Sequence, residues 1–446
     1  MDSYIAAAPS SLISQLDFSL KTTAPYVTQR RSVRMYPSSA SSFTQNGVRT
    51  CRITLASEGE WLDPSTLRFQ MTVNNGDPVK GLMPTSASAN CCWNRLRILV
   101  GGTVVDDVLY YNRTAETFQG KLEPSEWQFS EGALAFAGSQ FFRGGPFTGN
   151  IEFPNFVRHP QPCQIPPNSN LTVMSRLLCG LVRADKLIPL RVCPVTVELT
   201  MADAGEAFVG GIYSQNYSFN NVCILCDLVT LDANVQNSYM KSLLSGQALA
   251  ISIPQYITTY NPLAGTNVAS VVVQRALTRL CAVYVTFDLP SMGADATVTM
   301  CTNPNPSIQQ ALQNGVNGEI TTPVSPALSD GTFQFQLQIG SKLFPEQAMG
   351  SFAEMFENLR KAAGVHNQDI KSISLDKIDY LQNSFILGVD LQRNLGDPFS
   401  AINTRSGDVL RLNFKGMETG AVGGCYVHLI GSAILEIREA GSFLFD

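Results

Sequence analysis

The sequence feature that most constrains the fold is a strict alternation of apolar and polar residues along short stretches. In LRFQMTV (67–73) the odd-numbered positions are apolar and the even-numbered ones polar, and the same period recurs in CRITL (51–55), VTVELTM (195–201), FILGVDL (385–391) and LRLNF (410–414). Successive side chains of a β-strand point to opposite faces, so this pattern is typical of half-buried antiparallel strands. Regular helices do not alternate with these strands, which disfavours a βαβ fold. The sequence predicts an all-β chain built from sandwiches.

The length and an internal parallel predict two domains. At 446 residues the chain is longer than one hydrophobic core usually supports. A strand, a glycine-containing excursion and a long apolar strand follow one another at 192–232 and again at 408–441. Between these copies, LDANVQNSYMKSLLSG (231–246) reads as a polar-to-helical connection that ends at Gly246. The predicted divisions are an N-terminal arm (1–45), a first sandwich (46–231) and a second sandwich (232–446) that opens with a connecting segment (232–246).

One helix is well marked in this strand-rich chain. Apolar residues recur at helical spacing from 351 to 363. Ser351 and Glu354 form a capping box, and Gly364 stands where a C′ glycine belongs. The strand before the helix carries glutamine at every position of its outer face. These signals predict a strand followed by a helix of three turns.

No residue pattern indicates catalysis or metal binding. None of the three histidines has a second His or a Cys at metal-ligand spacing. Cys223 and Cys226 form a lone CxxC in a strand-like run, where their side chains would point to opposite faces. Asp106 and Asp107 are adjacent and would also point apart, so a hairpin is favoured over an acid/base pair. We predict that the protein is not an enzyme and that it has no catalytic, cofactor-binding or metal site.

Charge is sparse, at 15% against about 25% in typical soluble domains. Either partners cover much of the surface, or the surface is simply rich in uncharged polar residues. The net charge of −5 argues against a protein that coats nucleic acid along its whole length. The one basic cluster consists of Arg30, Arg31 and Arg34, which are candidate contact residues of the N-terminal arm. The cluster either binds phosphate groups or is an ordinary part of the surface.

Cysteine usage and the start of the sequence suggest a reducing compartment. The eleven cysteines are odd in number and scattered through strand-like segments, which fits reduced, buried thiols better than a disulfide framework. The first residues lack a basic n-region and a sustained apolar core, so no secretory signal is expected. No apolar run reaches the roughly 18 residues needed to span a bilayer.

Three ordered segments of the second half resemble a known family. FQLQIGSKLFPEQAMGSFAEMFENLRKAAG (335–364), SFILGVDLQRNLGDPFSAINTRSGDVLRLNFK (384–415) and HLIGSAILEIREAGSFLFD (428–446) look like the double jelly-roll major capsid proteins of small eukaryotic DNA viruses. The polinton-like virus and virophage-related group is the best match. Fainter likeness extends to GTVVDDVLYYN and LLSGQALAISIPQY in the preceding sequence.

This resemblance implies a fold and a set of partners. The fold would be two tandem eight-stranded jelly-roll sandwiches with long inter-strand loops and a few short helices. Three chains would form a homotrimer of pseudo-sixfold outline, and these capsomers would contact neighbouring capsomers and tile an icosahedral shell. The arm would lie under the capsomer and contact neighbours or minor and vertex (penton) proteins. The protein would be located in the virion, assembled inside the host cell, with at most indirect contact to nucleic acid and no cofactor.

The resemblance also gives candidate interface residues. We expect the apolar face of the 351–363 helix, which includes Phe352 and Phe356, to pack on its own sandwich or on a neighbouring subunit. The glutamine face would meet a partner through uncharged hydrogen bonds or face solvent. Arg405 in the turn NTRSGD is a candidate contact, as are Glu436 and Arg438, which share the outer face of a strand and are expected to form an ion pair.

Two other functional classes fit parts of the sequence. Carbohydrate-binding proteins also contain tandem β-sandwiches, but they usually need secretion, aromatic platforms and a convergent carboxylate pair, and this chain has only three tryptophans. Capsid proteins of single-stranded RNA viruses share the jelly roll and usually add a strongly basic arm. Residues 1–45 carry one lysine and three arginines against two aspartates, a net charge of +2, which is too small for that role.

Overall fold

The computed structural model describes residues 26–445, with the exception of some intervening stretches. The stretches outside the described residues are 123–130, 138–162, 211–212, 264–265, 289–332, 367–372, 374, 376–379, 381–384, 406–407, 418–422 and 440. Within the described residues the chain forms four antiparallel sheets and a few short helices. The prediction of an all-β fold is confirmed.

The described residues of the first sandwich form ten strands. These are β1 (Val27–Met35), β2 (Ser42–Thr44), β3 (Thr50–Leu55), β4 (Trp61–Asn75), β5 (Trp93–Val100), β6 (Thr103–Leu109), β7 (Asn170–Arg176), β8 (Ile188–Pro189), β9 (Val195–Met201) and β10 (Tyr217–Leu231). The larger sheet has the order β1-β10-β4-β7, with β2 beside β10 and β8 beside β4. The smaller sheet has the order β3-β9-β5-β6.

Nine strands lie in the part of the second sandwich that the structure describes. These are β11 (Leu249–Pro262), β12 (Val268–Val273), β13 (Leu280–Asp288), β14 (Gln334–Ile339), β15 (Lys342–Met349), β16 (Leu387–Asp390), β17 (Leu410–Lys415), β18 (Gly424–Arg438) and β19 (Gly441–Phe445). The larger sheet has the order β11-β18-β13-β16, with β19 beside the end of β18. The smaller sheet has the order β12-β17-β14-β15.

The two sandwiches have the same topology. If the strands are matched in chain order, leaving out the short β2 and β8 and the additional β19, both sheet orders of the first sandwich become those of the second. In this correspondence β1 matches β11, β6 matches β15 and β10 matches β18. The internal parallel seen in the sequence therefore reflects one topology used twice.

Strands β1 and β2 lie inside the stretch that we predicted to be an N-terminal arm. Both pair with β10, Arg31 lying opposite Leu228 and Phe43 opposite Phe219. Residues 27–44 therefore belong to the first sandwich's larger sheet, and a boundary at residue 45 lies too far along the chain. β1 gave no strand signal because it is exposed on both faces and so lacks alternation.

Helices occur only in the connections between described strands. They are α1 (Tyr111–Ala115), α2 (Ala204–Ala207), α3 (Ala233–Leu244), α4 (Phe352–Ala362), a π-helical turn (Glu116–Lys121) and the 3-10 turns Ala89–Cys92, Gly132–Leu134, Leu181–Arg183 and Pro398–Ser400. In α4 the Glu354 backbone N–H donates to Ser351 Oγ (3.1 Å), and Gly364 has a φ of 73°. The predicted caps are therefore correct. α3 joins the two sandwiches.

Apolar cores fill both sandwiches. Trp93 packs against Phe69 and Phe219 in the first, and Phe287 packs against Phe414 in the second. The core of the first sandwich continues into side chains of β11 and β18. The two sandwiches are thus joined by apolar contact as well as by α3.

Candidate contact surfaces

Phe118 connects the two sandwiches. It lies on the π-helical turn that follows α1 in the first sandwich. Its ring packs edge-on against three rings on adjacent strands of the second sandwich, with centroid distances of 5.5 Å to Tyr256, 5.0 Å to Tyr284 and 5.9 Å to His428. Edge-to-face aromatic pairs at these distances are favourable beyond the area they bury. Phe118 is therefore an anchor of the inter-sandwich interface, by which we mean the contacts of β6, α1, the π-helical turn after it and the segment 177–183 with β11, β13, β18 and β19.

A chain of buried hydrogen bonds runs through the same interface. The Thr114 and Thr258 hydroxyl groups are 2.7 Å apart, Thr258 Oγ1 lies 2.9 Å from His428 Nδ1, and Thr286 Oγ1 lies 3.3 Å from His428 Nε2. Burial lowers the pKa of His428 to about 3. The imidazole is therefore neutral at physiological pH, with one nitrogen donating and the other accepting. His428 has the surroundings of a structural side chain.

Asp106 is the buried member of the predicted aspartate pair. The Gly180 backbone N–H donates to Asp106 Oδ2 (2.8 Å). Burial raises the pKa of Asp106 to about 7, against the opposing effect of backbone hydrogen bonds from Gly180 and Leu181. Asp107 points to the surface and pairs with Arg95 (2.7 Å). The prediction that the two carboxylates face apart is confirmed.

The second sandwich also contacts the hairpin between β5 and β6. Thr103 Oγ1 donates to the Ser442 carbonyl oxygen (2.6 Å), and Ser442 Oγ donates to the carbonyl oxygen of Val100. Gly101 and Gly102 form the turn of this hairpin with φ values of 55° and 88°, which L side chains rarely adopt. β19 thus ties the end of the second sandwich to the first.

The inter-sandwich interface uses different sides of the two sandwiches. The first contributes its β6 side and the second its β11 side. The matching strands, β15 and β1, are the ones left uncovered. In β15 five of eight residues are exposed, whereas in the matching strand β6 two of seven are. In β1 seven of nine residues are exposed, whereas in the matching strand β11 four of fourteen are. Each chain therefore presents a β15 edge and a β1 edge that match the two sides already in contact.

The β1 arginines are balanced by acids of the same chain. Arg30 pairs with Asp63 (2.7 Å) and Asp227 (3.3 Å), and Arg31 pairs with Glu60 (2.6 Å). The hydrogen bond from Arg31 is the largest influence on the pKa of Glu60, which it lowers. Arg34 is also exposed on β1. Because two of the three arginines already bind carboxylates, the cluster is less suited to phosphate than its sequence suggests.

The helix predicted as a candidate interface packs on its own sandwich. Phe356 lies edge-on to Tyr380 (4.9 Å between centroids) and Phe352 lies edge-on to Phe385 (5.8 Å). A Cβ at Gly388 of β16 would lie 3.0 Å from the backbone of Leu359, so the helix sits directly on this strand. Of the two placements considered for the apolar face, the structure shows the intramolecular one.

The glutamine face of β14 is engaged locally. Gln336 Nε2 donates to the carbonyl oxygens of Pro345 (3.2 Å) and Glu346 (3.0 Å) on β15, and Gln338 Nε2 donates to that of Gly340 (3.0 Å). All three of these hydrogen bonds use the amide nitrogen as donor, and none uses an amide oxygen. The face can still meet a partner through uncharged groups.

The remaining candidates lie at two separate surfaces. Glu436 and Arg438 form the expected ion pair on β18 (2.6 Å), and the Arg438 guanidinium lies 5.6 Å from the Phe443 ring centroid. Arg405 is exposed in its turn, where its backbone N–H donates to Asn403 Oδ1 (2.8 Å). Glu436, Arg438 and Arg405 remain predicted contacts.

The outer faces of the two smaller sheets differ in chemistry, which sequence reasoning missed. The first carries a row of alternating charge across four strands, with Glu198 paired to Arg97 (3.0 Å) and Arg52 (3.5 Å), and Asp107 beyond. In the second, the row Ser270, Asn413 and Gln336 across β12, β17 and β14 is uncharged, and Ser270 Oγ donates to Asn413 Oδ1 (2.9 Å). Members of each row are far apart in sequence, so only the strand register reveals them.

The described residues contain no group of three or more His, Cys, Asp or Glu that could hold a metal ion. Cys223 and Cys226 are both buried in β10. His159, Trp127 and Cys301 lie outside the described residues. In the part of the chain that the structure describes, no helix is both long and apolar enough to cross a membrane.

Comparison with known proteins identifies the architecture. No family model and no curated protein matches the sequence. The PBCV-1 protein VP54, from a crystal structure fitted into a cryo-EM reconstruction of the virophage Sputnik, matches with a TM-score of 0.60 at 10% identity, over 96% of this chain and 98% of that one. The Faustovirus major capsid protein matches with a TM-score of 0.55 at 8% identity, over 95% and 93%. The chain has the double jelly-roll fold.

The mavirus major capsid protein gives the same result, with a TM-score of 0.50 at 10% identity over 96% of this chain and 92% of that one. These double jelly rolls are matched over nearly their whole length, so both sandwiches and their arrangement are shared. The predicted pair of tandem jelly rolls is confirmed. At such low identity the likeness establishes the fold, and the function rests on further argument.

Proposed function

We propose that this protein is a viral major capsid protein, a structural subunit whose trimers form pseudo-hexameric capsomers that tile an icosahedral shell. The observation that carries the proposal is the match of both sandwiches to capsid proteins over nearly the whole chain. The proposal places the protein in the virion, where it contacts neighbouring capsomers and minor or vertex proteins.

The inter-sandwich interface supports assembly into a ring. It joins the β6 side of one sandwich to the β11 side of the other. Because two different surfaces meet, the contact has the head-to-tail form that is called heterologous when it occurs between subunits. The β15 edge matches the β6 side and the β1 edge matches the β11 side, but both edges lack a neighbouring sandwich within the chain. A heterologous contact between copies closes into a ring when its rotation allows. Three chains with two sandwiches each would give six positions of similar topology.

The open edges carry apolar side chains that a copy of the chain would cover. On the β15 edge Leu343 is 40% exposed, and on the β1 edge Val27 is 44% exposed. Tyr26 and Tyr36 flank β1 and are more exposed still. Protein interfaces are enriched in tyrosine and other aromatic residues and depleted in charge at their centre.

The carbohydrate-binding alternative receives less support. Aromatic platforms for sugars need exposed rings, but Trp61 and Trp93 are both buried in the first sandwich. Of the two adjacent aspartates, only Asp107 faces the surface.

The test is the native mass of the purified full-length chain by light scattering, with negative-stain images of the same peak. We expect about 145 kDa, three chains of 48.5 kDa each, and particles of hexagonal outline. A monomer that also binds glycans would overturn the proposal. If trimers form, assembly reactions with and without minor capsid proteins would show whether shells need those proteins.

A further inference from the structure

Three exposed phenylalanine rings form an aromatic patch near the end of the second sandwich. We use this name for Phe399, Phe443 and Phe445, which are 59%, 44% and 49% exposed. Phe443 and Phe445 lie two residues apart on β19 and so share one face of the strand. Phe399 lies in the 3-10 turn after β16. Exposed apolar clusters of this kind mark binding sites.

Arginine side chains hold the aromatic patch together. Arg279 donates through Nη2 to the Phe445 carbonyl oxygen (3.0 Å), and its guanidinium lies 5.8 Å from the Phe399 ring centroid. Arg438 lies 5.6 Å from the Phe443 ring centroid. The rings are therefore ordered by contacts to the body of the second sandwich, while about half of each stays accessible.

The strand beneath the aromatic patch cannot turn its phenylalanines inward. Leu444, between them, packs into the core of the first sandwich, and Ser442 is buried and bonded to Val100. Because side chains alternate along β19, these contacts fix Phe443 and Phe445 on the opposite, outer face. Only another segment or another chain could shield the outer faces of these rings from water.

The sequence before β1 supplies an apolar segment. Five of the nine residues from 12 to 20 are large and apolar, namely Leu12, Ile13, Leu16, Phe18 and Leu20. This is the only such cluster in residues 1–25, which lie outside the described part of the chain. It leads directly into Tyr26 and β1.

The start of β1 lies near β19. The Asp232 backbone N–H donates to the Tyr26 carbonyl oxygen (2.8 Å), which places Tyr26 beside the end of β10. Leu249, the first residue of β11, packs against the cluster formed there by Trp61, Val229 and Leu231. Across the sheet, Leu249 lies opposite Ile437, and Ile437 lies opposite Ser442 of β19.

These steps give a distance that the segment can span. Two strand spacings separate β11 from β19, about 10 Å, and one side-chain contact separates β10 from β11, so the path is roughly 20 Å. Leu20 is six residues before Tyr26, and six extended residues span about 20 Å. The apolar segment therefore begins at about the distance where the aromatic patch lies.

We propose that the aromatic patch binds residues 12–20 of the same polypeptide. The leucine, isoleucine and phenylalanine side chains of this segment pack on the exposed faces of the three rings. The contact ties the N-terminal sequence to the end of the second sandwich. It does not depend on the proposed capsid function.

The test is hydroxyl-radical footprinting of the full-length chain, read by mass spectrometry at Phe399, Phe443 and Phe445. The variant is the double substitution Leu16→Asp and Phe18→Asp, which lies before the first strand of the fold. The matched control, Ala6→Asp with Ala8→Asp, adds the same charge at the same spacing outside the apolar segment. Val79, a loop residue that is 80% exposed and lies outside the proposed contact surfaces, serves as the internal reference.

We expect all three rings to be protected in the wild type and the control, and oxidised several-fold faster in the L16D/F18D variant, with Val79 unchanged. Equal oxidation of the rings in the wild type and that variant overturns the proposal, whether they are equally reactive or equally protected by some other occupant. Protection that disappears on dilution overturns the assignment to the same polypeptide, since an intramolecular contact does not depend on concentration.

Discussion

Gly180 of the first sandwich lies against the carbonyl oxygen of Pro254 on β11. A Cβ built at position 180 would come within 3.0 Å of that oxygen, closer than real Cβ atoms approach. Both groups are backbone, so neither can rotate away. The close approach lets the Gly180 N–H reach Asp106 at the same point.

Gly180→Ala is therefore expected to destabilise the protein by about 1–3 kcal/mol, the usual cost of overpacking. The measurement is thermal melting of the full-length variant. Gly205→Ala in α2 is the matched control, because nothing lies within 4 Å of a Cβ there. We expect the control to melt at or slightly above the wild-type temperature. Equal melting of the two variants would contradict the close contact.

Asp106 gives a pH dependence whose sign can be stated. Its pKa in the folded protein, about 7, is above the ordinary value of 3.8, because burial disfavours the charged form. Its contribution to stability is fully present below pH 3.8 and is lost as the pH rises through 7. Asp106→Asn cannot titrate, and its amide oxygen can still accept the Gly180 N–H.

Melting temperatures of Asp106→Asn and wild type, compared at pH 5 and pH 8, test this. From pH 5 to pH 8, we expect the free energy of unfolding of the variant to rise by about 1–4 kcal/mol relative to that of the wild type. Asp107→Asn, at the exposed neighbour, controls for loss of a carboxylate. A difference between Asp106→Asn and wild type that stays constant with pH would show that Asp106 does not titrate in this range.

Phe118→Ala should weaken the inter-sandwich interface. It removes three edge-to-face contacts and leaves a cavity against Tyr256, Tyr284 and His428, at a cost of about 3 kcal/mol. Calorimetry should then show the sandwiches unfolding in two steps instead of together. Val79→Ala, at a loop side chain that is 80% exposed, is the control and should change stability by less than about 0.5 kcal/mol. A single unshifted transition in Phe118→Ala would argue against its anchoring role.

Leu343→Asp tests the β15 edge as the contact between copies. The side chain is 40% exposed in the single chain, so the variant should fold and melt nearly as the wild type does. A buried unpaired carboxylate would be costly in an interface, so we expect the proposed trimer to dissociate in this variant, as measured by light scattering. Val79→Asp, at a loop residue that is 80% exposed, should leave trimers intact. Trimers that persist in Leu343→Asp would exclude this edge from the interface.

Phe356→Asp should act on folding before it acts on assembly. The ring packs on Tyr380 of its own chain, so a charge there destabilises α4 and the second sandwich. Ala353→Asp, on the exposed side of the same helix, is the control. We expect a lower melting temperature for Phe356→Asp alone. If that variant melts normally and yet loses trimers, α4 is an interface after all.

Much of the fold follows from local signals in the sequence. Strands such as β4 alternate because one face is buried, and α4 is delimited by Ser351 and Gly364. β1 could not be recognised in this way, because a strand exposed on both faces has no periodicity. The role of Phe118 was equally hidden, since its partners are more than a hundred residues away and nothing local distinguishes a ring that crosses between domains.

The candidate contacts illustrate the same limit. The pair of Glu436 and Arg438 could be predicted, since both residues lie on one face of one strand. The acids that neutralise Arg30 and Arg31 lie on β4, on β10 and just before β4, and only strand pairing brings them together.

The connection through α3 has a kinetic consequence. In any ring of these chains, half of the contacts between sandwiches form within a polypeptide, where a twelve-residue helix keeps the partners at an effective concentration in the millimolar range. Those contacts form at the rate of intramolecular docking, independent of how much protein the cell has made. Only the other half must wait for collisions, so a six-position ring needs three chains to meet instead of six.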